Sequence, residues 1–263
     1  ENPNSVQQMK EWLADLHLHS LLSPCGEIEM TPHHIVMRAA EFGVDMIALT
    51  DHNASANVAP AIEAAQEFGI RVMPGMEVQC REEGHIIVLF DEIKQLEDWQ
   101  RQVDAAMQPL ANDPIRFGAQ FIVDADDNFV AEEERMLLAP LALSAEAVVE
   151  TCNRLGGICI AAHIDRASYS LLGQLGFFPR DLGLAAAEIS QRGIEELQRK
   201  ALQCLTGGLP YITSSDAHRI EDFRQGPKTL FCLAEPTVAE IRLALRGEGG
   251  RCVKPGCYIG KKT

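Results

Sequence analysis

Residues 31–73 read TPHHIVMRAAEFGVDMIALTDHNASANVAPAIEAAQEFGIRVM. Thr31 followed by Pro32 is a helix start, because proline at the first helical position has its φ preset and no N–H to waste. The helix runs to Phe42 and ends at Gly43, the residue type that most easily takes the left-handed stop conformation. Residues 44–50, VDMIALT, form an apolar run of strand length, as expected of a strand covered on both faces. A second helix spans Val58 to Phe68 and stops at Gly69, and residues 70–73 begin the next strand. A strand, a covering helix and another strand this close together make a β-α-β unit.

The alternation continues outward. Strands are expected at residues 12–19, 84–90, 157–163, 184–190, 209–214 and 229–233, with helices at 93–110, 144–155, 194–205 and 237–246. About seven β-α units with short loops predict an α/β fold, a distorted (β/α)7 barrel of the TIM-barrel type, over residues 12–250. Residues 112–140 break the rhythm with an acidic cluster and read as an inserted rim segment, a solvated flap able to cover a site. Residues 251–263 read as a C-terminal tail.

Bulk properties narrow the function. The 263 residues are 46% hydrophobic and carry a net charge of −15, which argues against a protein that grips long nucleic acid through its backbone. An enzyme acting on a short phosphorylated end remains compatible. No apolar stretch is long enough to cross a bilayer, and the start of the chain lacks the marks of a signal peptide. Several of the eight cysteines sit in apolar runs, where a reduced thiol is expected. The chain therefore reads as cytoplasmic.

The histidines carry the chemistry. Six of the eight lie at strand ends or in the turns after them, in DLHLH (15–19), TDH (50–52), His85, AAH (161–163) and SSDAH (214–218), with Glu77 among them. Residues two apart in a strand share a face, so His17 and His19 can approach one cation together. Asp15 is expected to face the same way and accept an imidazole N–H. His33 and His34 fall in a helix's first turn and read as solvated.

The ordered motifs D-L-H-x-H-S, I-A-L-T-D-H-N, P-G-x-E, a strand histidine, A-A-H and S-S-D-A-H resemble the PHP domain, the polymerase and histidinol-phosphatase superfamily of metal-dependent phosphoesterases. The resemblance spans residues 13 to 234. It implies two to three divalent cations (Mn, Fe or Zn) at the barrel mouth. His17, His19, Glu77 and Asp216 would hold the first. Glu77, His85 and His163 would hold the second, and His52 with His218 the third. The family's usual third-site ligand is an Asp or His in the first loop. Here the loop reads Ser23-Pro24-Cys25-Gly26, which makes Cys25 a candidate thiolate donor. Asp51 is expected behind the ligands.

The expected activity is hydrolysis of a small phosphate monoester or a phosphorylated nucleotide end, including a short oligonucleotide, by a metal-activated water. His17, His19, Glu77, His163 and Asp216 form the expected catalytic set. Arg192, Arg166 and Arg219 follow the motif strands as candidate phosphate grips, and Tyr169 either packs on substrate or supports its loop. Amide hydrolysis by the same cations, or a non-catalytic metal-stabilised module docking to a partner protein, are the alternatives. The acidic insert is no EF-hand, since Phe129 replaces the required glycine. Cys252 and Cys257 lack a second ligand pair for zinc.

Overall fold

The structure is a computed structural model and describes residues 8–190 and 205–260. One nine-stranded sheet organises it. Strands β1 (Lys10–Leu18), β2 (Met46–Leu49) and β3 (Arg71–Gln79) run parallel. Helices α1 (Pro32–Phe42) and α2 (Val58–Phe68) cover them, as expected from the quoted stretch. Both helices present one stripe: Pro32, Ile35, Val36 and Ala39 are buried in α1, and Val58, Ala61, Ala64 and Ala65 in α2. The spacings, i, i+3, i+4, i+7 in α1 and i, i+3, i+6, i+7 in α2, keep each set on one side of its helix, which lets both pack on a sheet.

The sheet is mixed rather than all parallel. Strand β4 (His85–Leu89) turns back antiparallel on β3, pairing Gln79 with His85. Helix α3 (Ile93–Ala106) follows, and then the insert with α4 (Pro114–Phe117), β5 (Phe121–Val123) and β6 (Phe129–Glu132). Helix α5 (Ala145–Arg154) leads into β7 (Ile158–Ala161), α6 (Leu171–Leu175), β8 (Ala186–Glu188) and β9 (Tyr211–Ile212). Helix α7 (Ile220–Gln225), β10 (Lys228–Leu233), α8 (Val238–Arg246) and β11 (Cys252–Cys257) complete the chain. The strand order is β11-β10-β1-β2-β3-β4-β7-β8-β9.

The sheet curls into a nearly closed barrel. Across the remaining gap Thr213 N–H donates to Thr229 Oγ1 at 2.8 Å, and Gly256 N–H donates to Thr213 Oγ1 at 2.9 Å. The expected barrel is therefore present, with more strands than seven. The supposed tail contributes one of them, since β11 pairs antiparallel with β10. One apolar cluster lies between the strands and α1, α2, α3 and α5. A second fills the barrel with the opposite strand faces, including Leu16, Met46, Ile87, Ile160 and Phe231, and takes in α8.

The insert is not the solvated flap expected. Asn57 Nδ2 donates to Phe121 O at 3.1 Å and accepts, through Oδ1, from Val123 N–H. Asn53 Nδ2 donates to Leu137 O at 2.9 Å, and Leu137 packs with Leu22 and Ala54. Asp127 accepts from His33 N–H at 3.0 Å and from the Thr31 hydroxyl. The helix cap of α1 thus comes from the insert, and Thr31 only occupies the cap position. Gly118, at φ 105°, lies so close to the Pro24 carbonyl that no Cβ would fit. The expected helix 194–205 lies almost wholly outside the described residues. Among the described residues, no helix is long and apolar enough to cross a membrane.

Candidate metal centre

Strand ends at one rim of the barrel deliver the site. Glu77 sits near the end of β3, Asp51 and His52 follow β2, and His163 and Asp216 follow β7 and β9. His85 is at the start of β4, and because that strand is reversed, its beginning reaches the rim where its neighbours end. His163 (φ 27°), Asn53 (φ 50°) and Asp216 (φ 50°) all take left-handed backbone conformations there, the kind of strain that tightly packed functional loops retain.

Glu77 is the hub. Its carboxylate lies 2.8 Å from His85 Nδ1, 3.0 Å from His52 Nδ1 and 3.1 Å from His163 Nε2. It is also 3.3 Å from His17 Nε2 and 3.4 Å from His19 Nε2. Both of the latter nitrogens are 3.2 Å from Asp216 Oδ1. His218 stacks on His19 with ring centres 4.3 Å apart. Three sets bring their donor atoms within 4.8 Å of one another: His17, His19 and Glu77; His52, Glu77 and His85; His19, His52 and His218.

These groups perturb one another strongly. Burial raises the Glu77 carboxyl, but His85, His17 and His52 outweigh it and hold it well below the usual carboxylate range. Burial lowers His19, and Asp216 and Glu77 overcome this to keep it up at about 9. Burial pushes His218 down to about 3, helped by the charge on His19. The buried nitrogens His85 Nε2 and His163 Nδ1 have no hydrogen-bond partner among the described residues, which costs free energy unless something takes their lone pairs or protons. A cluster of borderline and hard donors with orphaned imidazole nitrogens fits divalent cations.

Two expected residues do other work. Asp15 does not reach an imidazole. It pairs with the fully buried Lys228 ammonium at 2.9 Å and accepts from Ser215 N–H at 3.0 Å. The pairing of β1 with β2 shifts register between Asp15 and Leu18, and this irregularity breaks the two-residue alternation: Leu16 joins the barrel interior while Leu18 joins the outer layer. Arg219 is a surface residue bound to Asp222 at 3.0 Å, off the cavity wall. Arg166 does line the cavity and meets Asp216 Oδ2 at 2.6 Å. Arg192 lies outside the described residues.

The imidazole partner expected at Asp15 is Glu188 instead. It accepts from His17 Nδ1 at 3.0 Å, which aims the other nitrogen at Glu77, and from His163 N–H at 3.1 Å. A single carboxylate in the apolar run AAAEIS was its only signal in the sequence. Asp51 accepts from the Ser23 hydroxyl, which bonds His19 Nδ1 at 3.0 Å. Cys25 is exposed on the cavity wall, which His52 also lines. Glu188→Gln is expected to weaken metal affinity about 10- to 100-fold with the fold retained. Competition against a chromophoric chelator measures it, and unchanged affinity would remove Glu188 from this role.

The family model for the PHP domain matches residues 15–204. The chain belongs to the PHP domain family. Among curated relatives, a PolC-type DNA polymerase III from Caldanaerobacter subterraneus subsp. tengcongensis is 31% identical over 129 residues, covering 46% of this chain and 9% of the polymerase. A 5'-3' exoribonuclease from Haemophilus influenzae is 39% identical over 82 residues, covering 30% of this chain and 29% of the exoribonuclease. The alignments thus span less than a third of these relatives. A solved lesion-specific endonuclease, endonuclease Q of Pyrococcus furiosus, superposes with a TM-score of 0.66 at 20% identity, over 93% of this chain and 58% of that one. That likeness establishes the PHP-type barrel.

Proposed function

We propose that this PHP chain is a metal-dependent phosphoesterase that cleaves a phosphate ester on a nucleotide or at the end of a short oligonucleotide. The observation that carries the reading is the Glu77 hub, one buried carboxylate within 3.4 Å of five imidazoles. Such a group bridges neighbouring cations. His17, His19, Glu77 and Asp216 would hold one, Glu77, His85 and His163 a second, and His52 and His218, with Cys25 beside them, a third. Cations bound there would make a water acidic enough to attack near neutral pH and would offset the charge on phosphoryl oxygens.

The rest of the wall suits one phosphate. The cavity measures about 790 Å³, and Arg166 is its sole Lys or Arg among the described residues. The buried hydroxyls of Ser214 and Ser215 line it without hydrogen-bond partners, so they are free to donate to phosphoryl oxygens. Arg166 can add two parallel hydrogen bonds. Neither serine has a base beside it, which leaves water as the nucleophile. The exoribonuclease name of one relative, and the abasic duplex bound by an endonuclease Q structure, support a nucleic-acid-derived substrate. The net charge of −15 supports a short one.

Phosphate release across sugar phosphates, histidinol phosphate, nucleoside monophosphates, 3′,5′-bisphosphorylated nucleosides and short oligoribonucleotides, after loading with Mn or Zn, tests this. Selective turnover of nucleotide substrates, stopped by a chelator, is expected. Silence across the panel from metal-loaded protein would overturn it.

A further inference from the structure

Residues 163–170 form a loop over the cavity that is held at several points. Asp165 accepts from Ser190 N–H at 2.8 Å, the Ser170 hydroxyl donates to Arg166 O at 2.6 Å, and His85 N–H donates to Tyr169 O at 2.8 Å. A Cβ on Gly84 would come within 2.6 Å of the Leu171 side chain, so the start of α6, directly after the loop, packs tightly against the residue before β4. Tyr169 stands out within it. Its φ is 60°, a conformation that a bulky side chain rarely adopts. The ring stacks on His85 at 5.1 Å and 28°, lines the cavity, and yet the residue stays 51% exposed.

A core role explains none of this, because half of the residue is in solvent. One face rests on an imidazole of the metal centre and the other is open. We propose that Tyr169 is a stacking platform for the nucleobase attached to the reacting phosphate. The inference rests on the phosphoesterase reading and specifies its substrate as base-bearing. Base–aromatic stacking tolerates any base, since each offers a π-face.

The test compares the best nucleotide substrate with its abasic counterpart, in metal-loaded wild type, Tyr169→Asn and Tyr169→Phe. Asparagine tolerates left-handed backbone, so it removes the ring and keeps the loop; Tyr169→Gly serves if that variant does not fold. In Tyr169→Asn, KM for the base-bearing substrate should rise about 5- to 150-fold while the abasic KM stays within about twofold. Tyr169→Phe should behave as wild type. Quenching of a non-hydrolysable 2-aminopurine nucleotide phosphonate reads stacking without turnover, and should disappear in Tyr169→Asn. Equal losses on both substrates, or quenching that survives in Tyr169→Asn, would reduce Tyr169 to a support for His85. Quenching by wild-type protein that cleaves nothing would defeat the phosphoesterase reading and leave the platform standing.

Discussion

Glu77→Gln should lower phosphate release by on the order of 10³-fold or more. Glutamine preserves the shape and one acceptor oxygen but removes the charge. Without that charge, any cations held there would lose a shared anionic ligand, and the five imidazoles around it face one another uncompensated. Metal content by mass spectrometry should fall together with activity. His163→Ala and Asp216→Ala should also abolish turnover while circular dichroism stays native. Full turnover in any of these purified variants would sink the catalytic assignment.

Lys228→Met should cost about 3–5 kcal/mol of folding stability, because it strands a buried carboxylate. Lys228 and Asp15 are both fully buried and pair at 2.9 Å, and the ammonium also donates to Phe223 O and Gly226 O. The pair is more than scaffold, since Asp15 also holds Ser215 N–H, one residue before Asp216. Metal affinity should therefore drop with stability. The double variant Asp15→Asn, Lys228→Met should lose less than the sum of the two single changes. Urea unfolding of the four proteins settles the point, and additive losses would show that the pair is not coupled.

Local signals in the chain were enough to pick out histidines that the fold brings together. Histidines at the ends of apolar runs mark a barrel rim, and His17, His19, His52, His85, His163 and His218 do converge there. What the pattern could not show depends on pairing. Nothing in residues 84–90 says that β4 runs backwards, because direction is set by the five-residue turn that joins it to β3. Asp15 misled for a related reason. Strict alternation predicts its face only if the ladder is regular, and the register shift in β1 is a tertiary feature. Glu188 was legible in principle: a carboxylate inside an apolar strand needs a partner, and His17 with His163 N–H supplies one.

The insert has a bearing on how this barrel can be engineered. Ala111 and Arg135 form a bridge at its base, so the ends are close and the loop looks removable in one cut. Its interior says otherwise. Shortening it would uncap α1, leave the amides of Asn53 and Asn57 without the carbonyls they bind, and unpack Leu22 beside the loop that carries Cys25. A segment that resembles a detachable ornament is instead a brace, and chimeras swapping rim loops among related barrels should exchange it together with the Asn53–Asn57 turn.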